Sequence, residues 1–158
     1  MVASRDYEEL FELLNSGKVK YLVVGAHALA FHGKPRFTGD LDIFISTDPR
    51  NADRLLRVVK KFGFTGLDLT VDDFRAADNV VQLGYPPWRI DLLTGLSGIG
   101  FNKAWNSRVR GRYGKAAVRY ISKSDLIINK KSAGRLRDKA DLKALDALSS
   151  KPPHRKKK

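Results

Sequence analysis

Two strongly apolar runs, residues 20–24 and 40–45, bracket a small-residue turn and a short helix-forming stretch, and together they constrain the fold more than any other feature. Tyr21-Leu22-Val23-Val24 ends at Gly25-Ala26, residues 26–31 favour a helix, and Leu41, Ile43, Phe44 and Ile45 make the second run. Runs this apolar are too hydrophobic for freely exposed strands. The second run nevertheless carries Asp40 and Asp42. Residues at i and i+2 of a strand share a face, with Cα atoms roughly 6.5–7 Å apart. The two carboxylates therefore point one way, while Leu41 and Ile43 point into a core. Taken alone, an Asp-x-Asp pair is an ordinary exposed strand face. In so apolar a run, however, a carboxylate needs compensation for its desolvation. Two carboxylates so placed suit one or two Mg²⁺ ions, hard cations that take oxygen ligands and bridge to substrate phosphates. The amides after Gly25 open a helix N-terminus, a setting that favours phosphate.

The rest of the chain reads as further helices and strands. Ser4 caps a first helix with Leu10, Phe11, Leu13 and Leu14 in one stripe, ended by Gly17. A helix is expected over 51–62, with Leu55, Leu56, Val58 and Val59 inward and Lys60-Lys61 near its C-terminus. After a short helical segment at 71–76, strands 80–83 and 89–93 pair across Gly84-Tyr85-Pro86-Pro87. A flexible glycine loop from Gly95 to Gly100 leads to a short helix near 103–105. Strands 109–113 and 116–121 form a basic hairpin turning at Gly114. Ser122 opens a long C-terminal helix interrupted near Gly134, and Pro152-Pro153 ends ordered structure. A chain of 158 residues is one domain of ordinary size, here expected over 1–150 with a basic disordered tail at 151–158.

Charge is unevenly distributed. Residues 1–102 hold 12 Lys and Arg against 13 Asp and Glu, a net of −1, whereas residues 103–158 hold 18 against 4, a net of +14. Without the tail, residues 103–150 still carry +9. This asymmetry points to a polyanionic partner, RNA above all, bound through residues 103–158. The chain has no cysteine, which excludes disulfides and Cys zinc sites. No apolar run approaches the ~18 residues that span a bilayer, and the polar start at residues 1–9 is unlike a signal peptide, so a cytoplasmic protein without a membrane partner is expected. His27 and His32 are off a common helical face, so no histidine metal site is expected; His27 is placed near the carboxylates and His32 in packing.

The order apolar–Gly–small, spacer, Asp–apolar–Asp–apolar resembles the nucleotidyltransferase superfamily (DNA polymerase β-like fold). The fuller string, from Val24-Gly25-Ala26-His27 through Pro35-Arg36-Phe37-Thr38-Gly39-Asp40-Leu41-Asp42, is similar to minimal bacterial members, including AbiEii-like toxin nucleotidyltransferases. Trp88-Arg89-Ile90-Asp91 supplies the third carboxylate that the superfamily implies, and the stretch from Ser124 through Lys130-Lys131, Ala133-Gly134-Arg135 and Asp141-Leu142 resembles a late helix of these enzymes. Ala26 stands where the superfamily usually has Gly or Ser; it remains small but lacks a hydroxyl for phosphate.

The resemblance implies an α+β fold, a mixed β-sheet flanked by helices with a basic C-terminal helical segment. It implies a Mg²⁺-dependent enzyme, or one using Mn²⁺, that transfers an NMP from an NTP such as ATP to an acceptor hydroxyl. Asp40, Asp42 and Asp91 are the implied metal ligands and catalytic carboxylates. Gly25, Ala26, Arg36, Thr38 and Lys130 are candidates for nucleotide contacts, with Lys131 the adjacent alternative to Lys130. Asp138 and Asp141 are expected to pair with Arg135 and Arg137 on the helix. The acceptor expected is a tRNA-like RNA, and the toxin resemblance brings an antitoxin protein as a possible partner. The alternatives are a catalytically weak nucleotide- or RNA-binding module, or transfer to a protein or a small molecule.

Overall fold

The computed structural model describes residues 5–33, 39–85 and 87–149. The strands are β1 (Tyr21–Val24), β2 (Leu41–Ile45), β3 (Val80–Leu83), β4 (Ile90–Leu93), β5 (Val109–Tyr113) and β6 (Ala116–Tyr120). The helices are α1 (Arg5–Ser16), α2 (Gly25–Phe31), α3 (Pro49–Phe62), α4 (Phe101–Asn106), α5 (Lys123–Ala133) and α6 (Leu136–Ser149). All six strands join one mixed sheet in the order β3-β4-β2-β1-β6-β5. This is the α+β architecture expected from the sequence.

The two apolar runs take the centre of the sheet. β1 is buried throughout, and β2 is buried except at Asp42. β1 pairs antiparallel with β2 and parallel with β6, while β2 pairs parallel with β4. The β1–β2 register sets Tyr21 against Ile45 and Val24 against Asp42. By strand alternation, Tyr21, Val23, Ile43 and Ile45 share one face, and Leu22, Val24, Asp42 and Phe44 share the other. Phe11 of α1 stacks on Tyr21, ring centroids 6.0 Å apart. On the opposite face, Phe101 of α4 meets Phe44 edge-on at 5.1 Å. The carboxylates therefore stand on the face that carries α4.

Local chemistry sets the boundaries. Tyr7, Leu10, Phe11 and Leu14 form the buried stripe of α1 at helical spacing. α3 begins at Pro49, earlier than expected, because the Asp48 carboxylate accepts from the Asn51 amide and proline suits a first helical position. Residues 71–74 form a single 3₁₀ turn held by a capping box between Thr70 and Asp73. The short helix expected near 103–105 is the longer α4. The long C-terminal helix is two helices: Gly134, at φ 66°, ends α5 in the left-handed conformation, and α6 begins at Leu136. His32 packs as expected, its Nε2 lying 2.7 Å from the Ile121 carbonyl. The expected Ser4 cap, the Pro152-Pro153 stop and the tail at 151–158 lie outside the described residues. Among the described residues, no helix is long and apolar enough to cross a membrane.

Candidate active site

Asp42 and Asp91 are register partners on the adjacent parallel strands β2 and β4, so their side chains emerge side by side. Asp40 immediately precedes β2. A cavity of about 970 Å³ opens over this face, lined by all three carboxylates together with Gly25 and Ala26. Gly25 follows β1 and opens α2 at φ 66°, and a Cβ there would run into the Asp42 carboxylate. Only glycine satisfies both the backbone and the close approach.

The three carboxylates strain one another electrostatically. Burial raises the Asp42 carboxyl to about 6, the charges of Asp91 and Asp40 add to the rise, and Arg89 opposes it. Arg89 is the local counter-charge. Its Nη2 lies 3.2 Å from Asp40 Oδ2 and 3.4 Å from Asp91 Oδ2. Its Nε lies 3.1 Å from Asp91 Oδ1, yet the two are too poorly aligned to hydrogen-bond, and both atoms are buried. As they stand, no three His, Cys, Asp or Glu side chains among the described residues close around a common metal point. The donor set still fits a hard cation: oxygen-only, crowded with negative charge, and including a buried Asp91 Oδ1 that accepts no hydrogen bond.

Arg89 had no role in the sequence reading, although the signal was present. It stands two residues before Asp91, and the alternation that pairs Asp40 with Asp42 pairs these two as well. Tyr7 was also missed. Its hydroxyl donates to the Gly39 carbonyl and lies 3.1 Å from that of Arg89, tying the approach to Asp40 to the start of β4. His27 lies beside Tyr7, rings 5.8 Å apart, and burial lowers its pKa to about 4 against the opposing influence of Asp40. It is thus neutral near pH 7.

The opposite wall of the cavity comes from the α5–α6 corner, with Lys130, Arg135 and Arg137. Lys130 is buried there. Its Nζ lies 2.9 Å from Asp141 and 3.4 Å from Asp138, both fully buried. Arg135 also grips Asp138, Nε to Oδ2 at 2.6 Å. The expected Arg135–Asp138 pair is therefore present, but Asp141 takes Lys130 where Arg137 was expected. Arg36 and Thr38 lie outside the described residues.

A model of the family described as nucleotidyl transferase of unknown function (DUF2204) matches residues 3–156. No curated protein matches the chain in sequence. Solved structures of similar fold include the Thermotoga maritima protein TM1012, provisionally named a nucleotidyltransferase, at 15% identity and TM-score 0.60 over 93% of this chain and 92% of that one. The lincosamide antibiotic adenylyltransferase LnuA, solved with lincomycin bound, gives 15% identity and TM-score 0.58 over 93% and 98%. An antigenic nucleotidyltransferase-like protein from Paracoccidioides brasiliensis gives 20% and 0.56 over 93% and 78%. At these identities the likeness is one of fold.

Proposed function

This chain belongs to the nucleotidyl transferase family DUF2204, and from that premise we propose that it transfers an NMP from an NTP to a hydroxyl of RNA, with Asp40, Asp42 and Asp91 holding Mg²⁺ or Mn²⁺. The observation that carries this reading is the charge pattern of one cavity: three carboxylates on the sheet wall face the exposed Arg137 on the helix wall, beside the already paired Lys130 and Arg135. Asp40, Asp42 and Asp91 would hold the cation, and the guanidinium of Arg137 would meet phosphate.

Bound metal would supply Lewis-acid stabilisation of the charge on the reacting phosphates. The chain's own residues do the rest. Gly25 and Ala26 line the cavity beside Asp42, Arg137 offers a guanidinium from the exposed helix wall, and Lys130, held by Asp138 and Asp141, fixes the corner that presents it. Arg36 and Thr38 are carried as further phosphate contacts. Arg89 is the counter-charge of Asp40 and Asp91, a role that a cation held by Asp40, Asp42 and Asp91 would share. The acceptor oxygen attacks the α-phosphorus, its proton passes to Asp91, and the bond to pyrophosphate breaks.

RNA as acceptor is supported by the +14 charge of residues 103–158. The AbiEii-like resemblance adds a toxin role in which tRNA modification arrests growth and an antitoxin protein relieves it. The test incubates the protein with Mg²⁺, each α-³²P-labelled NTP and total bacterial tRNA, alongside Asp42→Asn. Label entering RNA only with the unaltered protein supports the reading and names the nucleotide. Label on protein or on a small molecule would replace the acceptor, and equal labelling by Asp42→Asn would remove the metal site.

A further inference from the structure

We propose that the surface around Trp105 docks the phosphate backbone of RNA, at a site distinct from the carboxylate cavity. Three cations from separate parts of the chain converge on one indole. The Arg108 guanidinium lies 4.0 Å from the Trp105 ring centroid, Arg119 of β6 at 5.5 Å, and the Lys20 ammonium, just before β1, at 5.7 Å. A guanidinium resting on an aromatic face keeps its N–H edge available for phosphate. Trp105 is itself stacked on Phe101, rings 5.7 Å apart and inclined by 21°. It acts as a platform that orders the cations, not as a surface for base stacking.

The neighbouring hairpin adds an observation that a merely solvated surface does not explain. Arg110 of β5 is the direct register partner of Arg119 of β6. Like charges directly opposite on antiparallel strands destabilise the pair. Among the described residues, no carboxylate forms an ion pair with Lys20, Arg108, Arg110 or Arg119. The fold thus crowds like charge without neutralising it, and a bound polyanion relieves that repulsion. The occupant is argued from charge density: closely spaced cations surround a half-buried aromatic, which suits repeated phosphates better than a protein surface of mixed polarity.

This inference rests on RNA as the acceptor and adds where RNA is held. Lys20 and Gly25 flank β1 at opposite ends, so the patch and the cavity are on the order of 16 Å apart along the strand. RNA gripped at Trp105 reaches the carboxylates with about five stacked nucleotides, at about 3.4 Å each.

The experiment measures fluorescence anisotropy of a 5′-fluorescein single-stranded RNA with the full chain, in EDTA and without NTP, across a salt series. The variants are Arg110→Gln with Arg119→Gln, and Arg108→Gln alone. The double variant is expected to bind about tenfold more weakly, with the slope of log K against log[salt] reduced by about 0.7 for each phosphate that the protein no longer neutralises. Its Tm should stay level or rise, because the substitutions remove a repulsion. An RNA affinity and slope equal to those of the unaltered chain overturn the docking site while leaving RNA as acceptor intact. Competition by polyglutamate as strong as by RNA overturns nucleic acid as the occupant. Absence of RNA binding by the unaltered chain overturns both this site and the RNA reading.

Discussion

At the Gly25 end of β1, three carboxylates crowd one another, the carboxyl of Asp42 rises to about 6, and Arg89 bridges Asp40 and Asp91. At the α5–α6 corner, Lys130, Asp138, Asp141 and Arg135 are just as tightly packed, but each charge meets its opposite. The difference separates two uses of buried charge. Balanced charge at the corner is a structural joint between helices, while the excess negative charge at the sheet is what the proposed cation would neutralise. The Trp105 surface is the cationic counterpart of the second kind, with Arg110 set against Arg119.

The contrast can be broken most severely at Asp42. Asp42→Asn should lower turnover by a factor on the order of 10³, equivalent to about 4 kcal/mol of transition-state stabilisation, with an unchanged circular dichroism spectrum. Lys130→Met should do the reverse, destabilising the fold by about 3–5 kcal/mol in urea unfolding because two buried carboxylates lose their cation. If stability holds and only the KM for NTP rises, Lys130 belongs to the triphosphate and the corner is not merely structural.

A smaller effect comes from pH. The carboxyl of Asp42 titrates in the folded protein at about 6, above its ordinary 3.8. The stability it contributes is therefore complete below the lower value and lost as pH rises through the higher one. The loss is about 3 kcal/mol at most. Metal-free protein should lose stability across that window, Asp42→Asn should flatten the profile, and Mg²⁺ should restore stability at pH 7. The smallest effect expected is at Arg110→Gln, a gain of a few tenths of a kcal/mol from the relieved cross-strand repulsion, read as a raised Tm.

Much of this was legible in the chain. Alternation within 40–45 put Asp40 and Asp42 on one side, and the superfamily resemblance, which implies a third carboxylate, pointed to Asp91 in its apolar run. The adjacency of Asp42 and Asp91 was not legible, since it depends on a parallel pairing of strands with α3 and β3 between them in sequence. The partner of Asp141 was misread for a related reason. Helical spacing couples Asp138 to Arg135 locally, whereas Gly134 folds α6 back so that Lys130 reaches Asp138 and Asp141. The Trp105 cluster joins residues from before β1, after α4 and within β6, and no local pattern links them.

The most direct test follows pyrophosphate release against RNA concentration, at fixed NTP and Mg²⁺, for the unaltered chain, Asp42→Asn, and the Arg110→Gln, Arg119→Gln pair. The account predicts saturable, RNA-dependent release by the unaltered chain, none above background from Asp42→Asn, and a raised KM for RNA in the arginine pair. Sustained release by Asp42→Asn, or release indifferent to RNA, would contradict it.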